Sequence, residues 1–284
     1  MQQKKVIRMK KLTSIAIVVV GLTWATVSSQ AQVAVTVNYG DLVLGFRNTS
    51  GQGTSLNLEV DLGSYANFVN ATSPITLSGP NGLAVQDLVN TYGASWNTNS
   101  GLLWSVASTS DSASVPGLSD NTLFVTSTGT VFKRQTSAAQ QTASDNIGNF
   151  IQSLNGTTST TNSTVSSVVD VSQTGTANYS GGIGAGTFPR PYNASSTSLF
   201  SFSNVENNTN IPGGGFVSLT LEQLNPTVSG TANAVIFGDF RLFSNGSLTF
   251  VPLSAVPEPS TFALIFLGGL CALGVALRRG RATD

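Results

Sequence analysis

Between Val33 and Val251 turn residues cut the chain into about ten short apolar runs, and this spacing limits the fold more than any other feature. Strands need only about five residues, whereas an amphipathic helix needs about ten or more with a recurring apolar face. The runs are Val33 to Val37, Leu42 to Phe46, Leu56 to Leu62, Leu102 to Ala107, Leu123 to Thr126, Val165 to Val171, Leu199 to Val205, Phe216 to Leu221, Val235 to Phe243 and Leu248 to Val251. In the third, Leu56, Leu58, Val60 and Leu62 alternate with Asn57, Glu59 and Asp61. That pattern predicts a strand with its apolar set on a core and its polar set in water. Phe237, Phe240 and Phe243 break strict alternation around Gly238 and Asp239, which predicts a bulge or bend there.

Two segments carry helical spacing instead. Leu83 to Tyr92 places Leu83, Leu88 and Val89 on one side, and Ser137 to Leu154 does the same with Ile147, Phe150, Ile151 and Leu154. Thr157 to Thr164 and Gly181 to Gly186 are polar or glycine-rich and read as surface loops. The expected fold class is therefore mainly β: a sandwich or jelly-roll-like antiparallel body with one or two short helices. A parallel β-helix is the alternative, although no rung-length repeat is visible.

Both ends differ from this body. Residues 1–31 form a signal peptide by pattern, with Lys4, Lys5, Arg8, Lys10 and Lys11, an apolar stretch from Ile15 to Ala25, and small residues at Ser29 and Ala31, after which cleavage is expected. Residues 32–255 form the exported β-rich domain. At the other end Val256, Pro257, Glu258 and Pro259 precede an uncharged apolar run, Thr261 to Leu277, and then Arg278, Arg279 and Arg281. The prolines keep the approach extended, because they fix φ and donate no backbone hydrogen bond.

A transmembrane helix is expected over 261–277, with Phe262, Leu264, Ile265, Phe266, Leu267, Leu270, Leu273, Val275 and Leu277 as the membrane anchor. At about 1.5 Å per residue it spans about 26 Å, the short end for a bilayer. The arginines act as a stop-transfer cluster and keep the C-terminus on the cytoplasmic side, which leaves the body outside.

This three-part tail, segment 256–281, closely resembles the PEP-CTERM sorting signal of exported proteins of Gram-negative bacteria. The resemblance implies that Val256, Pro257, Glu258 and Pro259 are recognised by exosortase, a membrane protease-transpeptidase, with signal peptidase as the other processing enzyme. It also implies a setting of exopolysaccharide production, biofilm or floc formation and surface display. The chain would be anchored in the cytoplasmic membrane with its body outside during sorting, and would then reach the cell envelope or extracellular matrix. Action of the tail as a permanent membrane anchor is the alternative mechanism.

Composition narrows the chemistry of the body. There is no histidine in the chain, which removes Ser-His-Asp triads, Cys-His dyads and histidine-ligated zinc. The single cysteine, Cys271, lies in the C-terminal apolar run, so the body has no disulfide. Between residues 32 and 255 five basic residues face eleven acidic ones, a net of minus six, which repels nucleic acid. No calcium-loop pattern occurs, and neither a metal nor a cofactor is expected. Gly182 to Gly186 lacks the spacing of a phosphate-binding loop.

Three readings of the body follow. The first is a non-enzymatic structural component of the cell surface or matrix. The second is a carbohydrate-binding module, with Tyr92, Trp96 and Trp104 as candidate stacking residues if they are exposed rather than packed in a core. The third is a carboxylate-dependent secreted glycosidase, for which Glu59 and Asp61 would share a strand face at a workable separation. Asn-x-Ser/Thr triplets at Asn48, Asn70, Asn155, Asn162, Asn193, Asn207 and Asn245 are formal glycan acceptors.

Overall fold

The structure is a computed structural model that describes residues 31–111, 115–129, 131–172, 178–183, 205–211, 213–229 and 232–253. The expected signal peptide up to residue 30, the sorting tail and its transmembrane helix lie outside the described residues. So does most of the predicted strand Leu199 to Val205. Among the described residues no helix is long and apolar enough to cross a membrane.

Antiparallel β structure dominates, in ten strands: β1 Asp41–Asn48, β2 Leu56–Ser64, β3 Ile75–Thr76, β4 Leu102–Thr109, β5 Leu123–Ser127, β6 Ser166–Asp170, β7 Asn207–Asn208, β8 Phe216–Leu224, β9 Val235–Phe243 and β10 Leu248–Pro252. Four short helices accompany them: α1 Tyr65–Val69, α2 Val85–Tyr92, α3 Ser137–Leu154 and α4 Tyr179–Gly182. The two predicted helices appear as α2 and α3, the latter with the expected bounds. Segment 33–37, expected as a strand, is tied instead to the chain after α3, with Val35 N–H donating to Thr157 O and Ser159 N–H donating to Val33 O.

The expected two-sheet sandwich is replaced by one sheet, ordered β3-β10-β9-β8-β5-β4-β1-β2-β6, with β7 added beside β4. It curls into a half-barrel. Alternation along a strand tells which side chains share a face but not which strand lies next door, so the sequence pattern fits one curled sheet as well as two packed ones. All pairings between named strands are antiparallel, which excludes the β-helix for these residues.

The sheet is covered on both faces over part of its width. Leu44, Phe46, Leu58, Val60, Trp104, Phe240 and Phe250 pack with Phe68 of α1 and Leu88 and Tyr92 of α2. On the opposite face Val43, Ala107 and Val125 pack under Ile147, Phe150, Ile151 and Leu154 of α3. Those four recur at helical spacing and are wholly buried, each burial contributing about 1.5–3 kcal/mol. Thr136 caps α3, its hydroxyl accepting from Ala139 N–H.

The bulge expected near Gly238 is present. Leu221 pairs with Gly238 but Glu222 pairs with Ile236, so Phe237 is the extra residue. Gly238 has φ +158°, and a Cβ there would lie 2.3 Å from the Val251 carbonyl, which leaves glycine as the residue that fits.

Candidate functional site

Glu59 and Asp61 do share one face of β2, but that face does not meet water as the alternation predicted. Asn57 and Glu59 are fully buried and Asp61 is partly buried. The cause is α4, which lies across β2, β1 and β4 exactly where the register sets Glu59, Gly45 and Ser105 in one row.

Tyr179 spans this row. Its backbone N–H donates to Glu59 Oε1 at 2.8 Å, and its phenol lies 2.7 Å from Ser105 Oγ and 2.8 Å from Glu206 Oε1. Between those ends the ring rests on Gly45, where a Cβ would meet Tyr179 Cδ2 at 2.1 Å. Any side chain at Gly45 therefore expels the ring. Phe150 of α3 closes the other side of Tyr179, with ring centroids 5.8 Å apart and edge to face.

Polar contacts complete the enclosure. Arg47 binds Glu206 with two parallel hydrogen bonds, Nε to Oε1 at 2.8 Å and a terminal nitrogen to Oε2 at 2.6 Å. Asn57 donates to Asn178 Oδ1 at 3.1 Å and accepts from Ser180 Oγ at 2.7 Å, while Asn178 caps α4 through Gly181 N–H.

Electrostatics follow from this burial. Removal from water pushes the Glu59 carboxyl up to about 8, against a partial lowering by the Tyr179 N–H, so it is a neutral acid at pH 7. Its Oε2 has no hydrogen-bond partner among the described residues. Burial pushes Asp61 up to about 6, opposed by the Gly63 N–H and helped by Asp41. Burial and the nearby Glu206 keep Tyr179 a phenol. Burial alone would lower Arg47, but the Glu206 pair outweighs it and holds the guanidinium charged.

A raised carboxyl beside a second carboxyl is a general-acid signature in an open cleft. Here Glu59 has no exposed surface and its reachable oxygen holds α4, so a sugar cannot reach it without removal of the helix. The geometry is that of a structural clasp.

The aromatic candidates also sit inside. Tyr92, Trp96 and Trp104 are 4%, 2% and 0% exposed, so none offers a stacking face. Tyr92 serves the sheet: its hydroxyl accepts from Leu58 N–H at 2.9 Å and donates to Phe46 O at 2.8 Å. Trp104 stacks near Phe46, and its indole N–H has no hydrogen-bond partner among the described residues.

Of the asparagine triplets, Asn70 and Asn245 are exposed, Asn48 is buried, and Asn193 lies outside the described residues. Asn162 lines a polar cleft of about 300 Å³ with Asp87, Asn90 and Thr160. Asp87 is occupied there, accepting from Thr160 Oγ1 and Asn162 Nδ2, each at 2.7 Å. Among the described residues no group of three metal-binding side chains occurs.

Sequence reasoning missed the Arg47–Glu206 pair, Tyr179, and a solvent-facing row of Phe216, Arg241 and Phe243. The last was legible in principle, because Phe216, Ser218 and Thr220 alternate along one strand and Asp239, Arg241 and Phe243 along another.

The clasp carries no sign of chemistry that would name a function, so the sorting tail is the decisive feature. Residues 255–281 match the family model of the PEP-CTERM protein-sorting motif. The chain thus carries the exosortase sorting signal that its Val-Pro-Glu-Pro, apolar run and arginine cluster resemble, which marks it as an exported protein sorted by exosortase. No curated protein and no solved structure shows a significant match. The PEP-CTERM match begins after the last strand of the β body, so it assigns no activity to residues 32–253.

Proposed function

We propose that this is a cell-surface or extracellular-matrix protein whose body is a non-enzymatic structural component associated with exopolysaccharide or biofilm. The observation that carries the proposal is the PEP-CTERM motif at 255–281, placed behind a single β body. The state of the carboxylates supports it. Glu59, Glu206 and Glu222 are all buried, and each binds a piece of the chain's own fold. The host is a Gram-negative bacterium, signal peptidase acts after Ala31, and the helix over 261–277 holds the chain in the cytoplasmic membrane until exosortase acts at Val256 to Pro259.

Intact mass and cell fractionation test this, comparing the native chain with the triple variant Pro257→Ala, Glu258→Ala, Pro259→Ala. The expected native product lacks residue 31 and everything before it, has lost the arginine cluster, and leaves the cytoplasmic membrane; the variant keeps its tail and stays. If both keep Arg278 to Asp284 and remain in the membrane, the tail is only an anchor.

A further inference from the structure

The start of the described chain is stitched to the segment after α3. Val33 N–H donates to Ser159 Oγ at 2.8 Å, and Val33 O accepts from Ser159 N–H at 2.8 Å. Val35 repeats the pattern, its N–H donating to Thr157 O and its carbonyl accepting from Gly156 N–H, each at 2.9 Å. Val35 and Val37 are buried with Ile147 and Leu154 of α3, so this segment belongs to the core. The stitching stops at Gln32. That residue is exposed and borders the polar cleft of Asp87 and Asn162. Its side-chain amide makes one contact, Nε2 donating to Ser159 O at 3.1 Å. Its backbone nitrogen has no hydrogen-bond partner among the described residues.

Gln32 is also the residue that cleavage after Ala31 makes the first of the mature chain. Cleavage turns its unpartnered backbone nitrogen into an α-amine, on the same residue as an exposed amide carbonyl. An α-amine titrates at about 7.7–8.0, so at neutral pH about a tenth of it is unprotonated and nucleophilic. We infer that residue 32 is a modification site: once the signal peptide is removed, the Gln32 amine attacks its own side-chain carbonyl and the mature chain begins with pyroglutamate.

The bond that forms joins the backbone nitrogen to Cδ, and the bond that breaks is Cδ–Nε2. The departing nitrogen takes the proton that the amine gives up and leaves as ammonia, so the step needs no oxidant, reductant or co-reactant. With nucleophile and carbonyl on one residue, proximity favours closure of the γ-lactam. The fold opposes it with only the exposed contact to Ser159 O, and the lactam N–H remains available as a donor to that carbonyl. A chain that begins with a lactam offers an aminopeptidase no terminal ammonium to bind. The next residue is held as well, because Ser159 occupies both the N–H and the carbonyl of Val33. The chemical block and the stitching together protect the end of an exported body.

The inference rests on the reading that signal peptidase acts after Ala31, and the experiment separates the two. Protein isolated from its native cells is unfolded, its free amines are methylated with formaldehyde and borohydride, and it is then digested with trypsin. The N-terminal peptide, which ends at Arg47, is sequenced by mass spectrometry. It is expected to start at residue 32, to be lighter than the encoded sequence by one ammonia, and to carry no methyl group. Labelling precedes digestion, so ring closure during handling is not counted. A peptide that starts at Gln32 with a methylated amine overturns the inference and leaves the cleavage site standing. A peptide with any other first residue overturns both. Gln32→Ala has no carbonyl to attack and should start at residue 32 with a methylated amine; a variant that is still blocked shows that the block is not the lactam and overturns the inference.

Discussion

Glu59→Gln tests the clasp most directly, because it removes one titration and keeps the shape. An unfolded glutamate titrates near 4.5, and in the folded protein burial holds Glu59 up to about 8. Below pH 4.5 the group is neutral in both states and its folded environment costs nothing electrostatic. Between the two values the folded chain keeps a proton that the unfolded chain releases, so stability falls as pH rises through this window. Above pH 8 both states are ionised and the slope ends. At about 1.4 kcal/mol per pH unit, the separation sets an upper bound of about 5 kcal/mol, comparable with the whole stability of a small domain. Glutamine keeps an acceptor for Tyr179 N–H and cannot ionise. Urea unfolding followed by the fluorescence of buried Trp96 and Trp104, at intervals from pH 4.5 to 9, should show the native protein losing several kcal/mol relative to Glu59→Gln. Asp61, pushed up to about 6, contributes a smaller slope of the same sign that both proteins share. Parallel profiles for the two proteins would refute the burial argument.

Gly45→Ala should destabilise by about 1–3 kcal/mol, read as a lower thermal midpoint, because its Cβ occupies the space of the Tyr179 ring. Arg47→Ala should cost about 3–5 kcal/mol in urea unfolding by stranding a buried Glu206, and Arg47→Met with Glu206→Gln should recover most of it. Tyr179→Phe removes one hydroxyl from Ser105 and Glu206, and its expected loss of about 1–3 kcal/mol can be measured in the same way. Trp96→Ala should lower stability by about 3–5 kcal/mol without changing retention on any polysaccharide, since the indole is in the core.

Local features were legible where one physical rule decides them. Helix α3 could be read because Ile147, Phe150, Ile151 and Leu154 permit no strand-like reading, and the β9 bulge because Gly238 interrupts an otherwise aromatic run. Features set by a distant segment were not. The polar set of β2 looks solvated in isolation, and only the arrival of α4, more than a hundred residues later, buries it. A hint existed in its neighbour. Leu42, Val43, Leu44, Gly45 and Phe46 contain no polar residue on either face, which is the mark of a strand covered on both sides, and the strand beside it must then share that cover. Pairing order is a different kind of information. The β8–β5 and β1–β4 contacts join distant runs of similar composition, and nothing in alternation distinguishes those partners from others.

The buried carboxylates explain how an exported body with no cysteine holds its connections. Glu59 binds the N–H of Tyr179, Glu206 binds Arg47 and the Tyr179 phenol, and Glu222 binds the N–H of Phe132 and the hydroxyl of Ser127. Each fastens a segment outside the sheet to the sheet itself, the task that disulfides perform in many secreted domains. The two devices differ in what breaks them. A disulfide yields to reductant, whereas the buried carboxyls of Glu59 and Glu222 yield as pH rises, because ionisation must then occur without water. Burial raises both Glu59 and Glu222, so their contributions weaken together as pH rises. The body is thus indifferent to the redox state of its surroundings, and what Glu59 and Glu222 contribute is fullest in acid and already falling at neutral pH.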